Sequence, residues 1–164
     1  MTIYFLQTEP IYVISFEEIF WGALLVAITM AIHAFGMLMV LRINVYLKSR
    51  LDKKTGLLSG LVPIMFASCL ILLIHLIEVI VWAAYFYWKG AFPNVSIAYY
   101  FALNEYTTVG SKFSLPLQLR LLEGIISSAG LLAFAISTGI LFRLATTFLE
   151  KPRNFLGKSN KSFQ

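Results

Sequence analysis

The sequence predicts an all-α membrane protein with three transmembrane helices and a short re-entrant helix between the second and the third. Of its 164 residues, 59% are hydrophobic and 13% are charged, whereas a globular domain is about half apolar and a quarter charged. Three long runs of residues carry almost no charge, and the basic residues cluster outside them. We expect one membrane domain, residues 1–164, without a soluble part large enough to form a core, and therefore no enzyme.

The first predicted transmembrane helix spans residues 19–41. These 23 residues carry no charge. At about 1.5 Å per residue they extend over roughly 34 Å, which exceeds the hydrocarbon core of about 30 Å. The preceding segment, residues 1–18, contains three glutamates and no lysine or arginine. That charge is opposite to the basic start of a signal peptide, so we expect the first helix to be retained.

The basic residues predict the orientation of the chain. The loop at residues 42–56 contains five basic residues and one acidic residue, and the tail at residues 151–164 is also basic. The positive-inside rule places both in the cytoplasm. We therefore expect a multi-pass protein of the cell (inner or plasma) membrane, with its N-terminus outside and its C-terminus in the cytoplasm. The lipid bilayer is the expected partner, and the positive charge serves topology rather than nucleic-acid binding.

The second predicted transmembrane helix spans residues 60–88. Pro63 lies near its start, where proline suits a first helical turn. Its far end is rich in aromatic residues, which are typical of a membrane interface. Trp21 lies at the corresponding end of the first helix, so we expect Trp21, Trp82 and Trp88 at one interface.

Two ionisable residues, His75 and Glu78, lie three residues apart on one face of the second helix. An intramembrane ionisable residue is a candidate for function because leaving it unpaired is costly. Either the pair ties the second helix to its neighbours, or it senses protons. His33 lies about 8 residues from the inner end of the first helix and His75 about 15 from the start of the second, which predicts depths that differ by roughly 10 Å. No haem, metal or other cofactor is therefore predicted.

A polar segment, residues 95–115, separates the second helix from a third that is predicted at residues 120–145. Pro93 ends the second helix, and Asn94 or Ser96 can cap a short helix that runs to about Tyr106. Non-helical backbone is tolerated at membrane depth only where it is buried in protein or lines a water-filled cavity. The sequence therefore predicts that this segment is a pore helix followed by a pore-lining loop.

The loop itself begins Thr107-Thr108-Val109-Gly110. β-Branched Thr108 and Val109 favour an extended backbone, and Gly110 allows a positive φ. This segment resembles the selectivity filter of the potassium-channel superfamily, whose potassium-selective members carry TVGYG. In this chain the corresponding letters are TVGSK, because Ser111 and Lys112 follow Gly110.

The resemblance extends over roughly residues 70–145. The chain is most similar to small bacterial ion-channel proteins of the two-helix-plus-pore type, in which a histidine and a glutamate precede a Trp-Ala pair. The matching positions are His75, Glu78, Trp82 and Ala83, the pore-helix run Ala98 to Leu103, and Pro116 with Arg120 to Gly124 before the last helix. The resemblance implies a pore domain that assembles as a homotetramer and conducts a monovalent cation, K⁺ in the selective members.

The resemblance also implies roles for single residues. Asn104 and Glu105 are expected to support the filter-like loop, although Glu105 also fits an exposed outer surface. Gly130 is the hinge candidate, and close helix packing is the alternative. The expected ion pathway comprises Thr107, Thr108, Val109, Gly110 and Ser111.

Lys112 separates two functional hypotheses. If its ammonium groups surround the pore axis, charges about 8 Å apart repel by about 2 kcal/mol at an effective dielectric near 20, which disfavours cation entry. If Lys112 extends outward to water, a shortened filter remains. The first hypothesis is accordingly a cation channel, and the second is a non-conducting structural or interaction subunit that joins related channel subunits. The last helix also contains glycine, serine and threonine residues, predicted to form one face suited to close packing or a wet cavity.

Overall fold

The computed structural model describes residues 12–51 and 58–149, and this part of the chain is helical without strands. Three helices are each long and apolar enough to cross a membrane. The predicted all-α, multi-pass fold class is confirmed at this level. In chain order the helices are α1 (Phe16–Leu51), α2 (Leu58–Trp88), α3 (Val95–Tyr106) and α4 (Leu121–Leu149), with a 3₁₀ turn at Leu117–Leu119 before α4.

The helix ends differ from the predicted spans mainly at the junction of α1 and α2. The predicted loop at residues 42–56 is helical as far as Leu51. Asn44, in this extension, is buried, and its side-chain amide donates a hydrogen bond of 3.0 Å to the carbonyl of Pro63. Because α2 begins at Leu58, Pro63 lies in the second helical turn rather than the first. The predicted tail at residues 151–164 lies outside the described residues.

A capping box begins α1. The hydroxyl of Ser15 accepts a hydrogen bond from the Glu18 amide, and the Glu18 carboxylate accepts one of 3.0 Å from the Ser15 amide. This reciprocal pair satisfies two backbone donors at the helix start. The same carboxylate accepts a hydrogen bond of 3.1 Å from the Leu121 amide at the start of α4. Glu18 therefore joins the first turns of α1 and α4.

The short helix α3 packs between α2 and α4, where the main hydrophobic core lies. Phe86 of α2 and Phe101 of α3 meet edge to face, with ring centroids 5.5 Å apart. Trp82 is fully buried in this core. Trp82 is therefore a core residue and does not belong to the exposed aromatic belt that was predicted for it. Trp21 and Trp88 do lie together, with ring centroids 5.6 Å apart.

Candidate functional site

Asn94 begins α3. Its side-chain oxygen accepts a hydrogen bond of 2.9 Å from the Ile97 amide, which is the interaction of an N-cap residue. Of the two capping residues that the sequence allowed, the structure uses Asn94. The predicted end of the short helix at Tyr106 is also confirmed.

The other end of α3 is deeply packed. Tyr106 is buried, and its carbonyl lies so close to Gly130 of α4 that a Cβ atom at Gly130 would overlap it. Tyr106 therefore lies at the level of Gly130. At about 1.5 Å per residue, Gly130 is about 14 Å along α4 from its start at Leu121. The Tyr106 hydroxyl bonds to Glu78, which lies about 15 Å before the end of α2 at Trp88 by the same measure. Gly130 is required here for close helix packing, the alternative to its predicted hinge role.

The loop that directly follows α3, residues 107–111, directs its backbone amides back towards the protein. Those of residues 107–110 donate hydrogen bonds of 3.0–3.3 Å to the carbonyls of residues 103–105. The Ser111 amide donates one of 2.8 Å to the Glu105 carboxylate. Among the described residues, none donates a hydrogen bond to the carbonyl oxygens of residues 107–110. The loop therefore presents unpaired backbone acceptors.

The backbone of this loop is a compact turn. Thr108 has φ of 61°, in the left-handed region, so the prediction of an extended backbone at Thr108 is wrong. The amides of Val109 and Gly110 both bond to the carbonyl of Asn104, which closes the chain around the helix end and overrides the β-branched preference. Gly110 has φ of 80°, as predicted. Thr108, Val109 and Gly110 are exposed on the surface of the single chain.

The predicted supporting residues act by different atoms. Glu105 is half-buried, and its carboxylate accepts the Ser111 amide, so it contacts the loop as expected. Asn104 contributes its backbone carbonyl, while its side-chain amide donates to the Tyr100 carbonyl at 2.7 Å. Lys112 is exposed, and its ammonium lies 5.2 Å from the ring centroid of Phe113.

Sequence reasoning did not predict the contacts that hold the chain after the loop. Glu123, in the first turn of α4, accepts a hydrogen bond of 2.6 Å from the Leu115 amide. Arg120 donates to the Leu115 carbonyl at 3.3 Å. Ser127 donates to the Glu105 carbonyl at 2.9 Å, which ties α4 to α3. The available signal was the acidic residue in the first turn of the last helix, a position that favours a carboxylate.

A ring of five buried polar residues joins all four helices below the loop. The His33 imidazole is 2.8 Å from the Glu78 carboxylate through Nδ1, and the Tyr106 hydroxyl donates to the same carboxylate. His75 lies 3.1 Å from the Tyr106 hydroxyl through Nδ1 and 3.1 Å from the Ser137 hydroxyl through Nε2. Ser137 closes the ring, 3.4 Å from Nε2 of His33. Each of the five side chains therefore has two polar neighbours within hydrogen-bonding distance in the interior.

The predicted depth difference between His33 and His75 is wrong, because their ring centroids are 5.2 Å apart. The error arose from counting residues from the predicted membrane boundaries. Register between antiparallel helices is set at their junction, and His33 lies 18 residues before Leu51 while His75 lies 17 after Leu58. The two histidines are therefore level.

The small residues of α4 form two faces rather than the single face predicted. Gly130 and Ser137 are buried against the other helices. A second set, in which small residues alternate with the large residues Leu131 and Phe142, is spaced by four and three residues in turn and is exposed along the helix. It comprises Gly124, Ser128, Leu131, Ala135, Thr138 and Phe142, and is here called the α4 outer stripe.

Fold and site together define an all-helical, multi-pass membrane protein in which a short, deeply packed helix ends in a loop with unpaired carbonyl groups. Comparison of the chain with protein-family models, with curated proteins and with solved structures finds no match.

Proposed function

We infer that this chain is the pore-forming subunit of a membrane channel for monovalent cations. The observation that carries the inference is the direction of the backbone groups in the loop after α3. The amides of this loop donate hydrogen bonds to α3 and Glu105, whereas its carbonyls have no donor among the described residues. Backbone carbonyls that replace the hydration shell of a cation are how channel filters work. The loop has the same Thr-Val-Gly sequence that makes the chain resemble potassium channels.

In this proposal α3 is a re-entrant pore helix. It begins beside the end of α2 and descends to the level of Glu78 and Gly130, about 15 Å along either neighbouring helix, which is half of a hydrocarbon core of about 30 Å. The carbonyl end of a helix carries partial negative charge. The C-terminus of α3 would thus point towards the middle of the membrane, where negative potential favours a cation that has lost its water.

The proposed channel is a homotetramer. One loop cannot enclose a pore, so several copies must surround an axis, and cyclic symmetry is the usual arrangement. Two observations support a contact between copies at this face: Val109 is 75% exposed in the single chain, and the α4 outer stripe has no partner among the described residues. Alternating four- and three-residue spacing is typical of helices that pack on one another.

The proposed orientation follows from charge. Two segments are rich in basic residues: the one between the first two transmembrane helices and the one after the last. By the positive-inside rule, both are expected on the cytoplasmic side of a cell membrane. The loop after α3 then lies towards the outer side, and K⁺ is the proposed permeant ion. A filter that reads TVGSK offers fewer carbonyl sites than TVGYG, so weak discrimination between K⁺ and Na⁺ is expected.

Lys112 supports this proposal over the non-conducting alternative. Its ammonium lies over the Phe113 ring, which in turn contacts Tyr100 of α3, with centroids 6.3 Å apart. A cation over an aromatic face is stabilised by about 0.5–1 kcal/mol at an exposed site. This contact favours a lysine held against its own protomer.

The left-handed turn at Thr108 favours the alternative, a channel-like subunit that does not conduct, alone or with related channel subunits.

Ion flux into liposomes tests the proposal. Wild type should pass K⁺, and Lys112→Gly should pass at least as much because it removes a positive charge near the loop. Gly110→Ala should abolish flux, since φ of 80° is strained for alanine. Gly90→Ala is the matched control: Gly90 has φ of 69° in the turn between α2 and α3, so it carries the same strain outside the loop. Cross-linking should give a tetramer.

Silence of folded, tetrameric wild type and Lys112→Gly would favour the non-conducting subunit. Equal flux through Gly110→Ala and Gly90→Ala would show that the loop is not the ion pathway.

A further inference from the structure

With neutral histidines and an ionised Glu78, the buried ring of His33, Glu78, Tyr106, His75 and Ser137 has one contact more than it has hydrogen atoms. It has five contacts, and each needs one hydrogen to be a hydrogen bond. A neutral imidazole carries one N–H, a hydroxyl carries one O–H and an ionised carboxylate carries none, so the five side chains supply about four hydrogens. In that state the ring also holds an unbalanced negative charge inside the protein, which is costly. One added cation, either a proton or a metal ion, would supply the balancing charge.

The arrangement of the histidines shows where a cation fits. The Nδ1 atoms of His33 and His75 both face Glu78 and Tyr106, whereas both Nε2 atoms are within hydrogen-bonding distance of the Ser137 hydroxyl. If both Nε2 atoms are protonated, the Ser137 hydroxyl oxygen can accept from both with its two lone pairs. Both Nδ1 atoms are then free of hydrogen and available as ligands. A second ring nitrogen held by a hydrogen bond is the usual arrangement of metal-binding histidine.

The donor atoms lie close enough together to share one metal ion. A metal about 2.05 Å from tetrahedral nitrogen and oxygen ligands places those ligands about 3.3 Å apart. The observed neighbours are 2.8 Å apart for His33 Nδ1 and Glu78 Oε1, 3.1 Å for His75 Nδ1 and the Tyr106 oxygen, and 3.7 Å for His75 Nδ1 and Glu78 Oε2. The Tyr106 oxygen is closer than any of these to Glu78 Oε2, so metal binding requires these two oxygens to move apart. One ligand atom from each of His33, His75 and Glu78 lies within 4.8 Å of the others.

We propose that His33, His75 and Glu78, with Tyr106 as the fourth ligand, bind one divalent transition-metal ion of the Zn²⁺ type. Two imidazoles and two oxygens suit this class of ion. Binding releases the phenolic proton of Tyr106 to the solvent, so that the phenolate and the Glu78 carboxylate balance the two positive charges. The ion thereby links α1, α2 and α3 directly, and Ser137 of α4 holds both histidines. This proposal replaces the expectation from sequence that no metal is bound.

Cobalt binding to the purified protein tests the site independently of conduction. Protein with a tag that lacks histidine is treated with chelator in detergent, exchanged into Co²⁺ and passed through gel filtration. We expect about one cobalt per chain, with the visible absorption of a four-coordinate ion, displaced by Zn²⁺. His75→Gln and Glu78→Gln should retain none. Glu17→Gln, which changes an exposed carboxylate in the first turn of α1, is the control and should bind as wild type.

Ser137→Ala keeps all four ligands and removes only the group that orients the histidines. It should weaken cobalt binding about 10- to 100-fold. This variant decides the question if the ligand variants do not fold. No retained cobalt in helical, monodisperse wild type would overturn the proposal and leave a proton as the balancing cation. Equal cobalt in wild type, Glu78→Gln and Ser137→Ala would show an adventitious ion only.

Discussion

Gly130→Ala is the substitution that most directly tests the packing of α3 on α4. Its added Cβ would overlap the backbone carbonyl of Tyr106, which cannot rotate away as a side chain can. Overpacking costs typically about 1–3 kcal/mol, and a backbone obstacle places this case near about 3 kcal/mol. Alanine regains about 1 kcal/mol over glycine within a helix. The net loss of unfolding free energy is therefore about 2 kcal/mol.

Gly139→Ala, on the same helix but outside the α4 outer stripe, provides the matched comparison. Nothing lies within 4 Å of a Cβ at Gly139, so this variant should gain about 1 kcal/mol. The two variants then differ by about 3 kcal/mol, which corresponds to roughly 6–12 °C in Tm for a chain of this size. Thermal unfolding in detergent, followed by circular dichroism, measures the difference. Equal Tm values would refute the close approach of α4 to Tyr106. Loss of ion flux in Gly130→Ala without loss of Tm would instead favour the hinge role.

Two further substitutions test contacts that join distant parts of the chain. Glu18→Ala removes the acceptor of the Ser15 and Leu121 amides; leaving these donors unpaired should lower the free energy of unfolding by about 2–3 kcal/mol, whereas Glu17→Ala, on the exposed side of the same turn, should cost less than about 1 kcal/mol. Thermal unfolding compares the two, and equal losses would argue against the link between α1 and α4. Glu105→Ala removes the acceptor of the Ser111 amide. Amide hydrogen exchange should become faster in residues 107–111 and flux should fall, and unchanged exchange would show that Glu105 does not hold the loop.

Part of the candidate site could be predicted because its signals are local. The cap at Asn94, the end of α3 at Tyr106 and the positive φ of Gly110 each depend on a few neighbouring residues. The turn at Thr108 could not be predicted in this way. Its conformation follows from the bonds that the next two amides make to Asn104, and this closure outweighs the preference of a β-branched residue.

The sequence by itself determined that the chain is all-helical and has three apolar segments long enough to cross a membrane. Charge-free length is a property of consecutive residues, so it does not depend on how the segments pack. The tertiary structure alone decided which polar residues meet. His33 and Glu78 are 45 residues apart, and Glu18 and Leu121 are 103 apart. Their pairing depends on the register of antiparallel helices. The extension of α1 to Leu51 shifts that register, and no local sequence pattern predicts it.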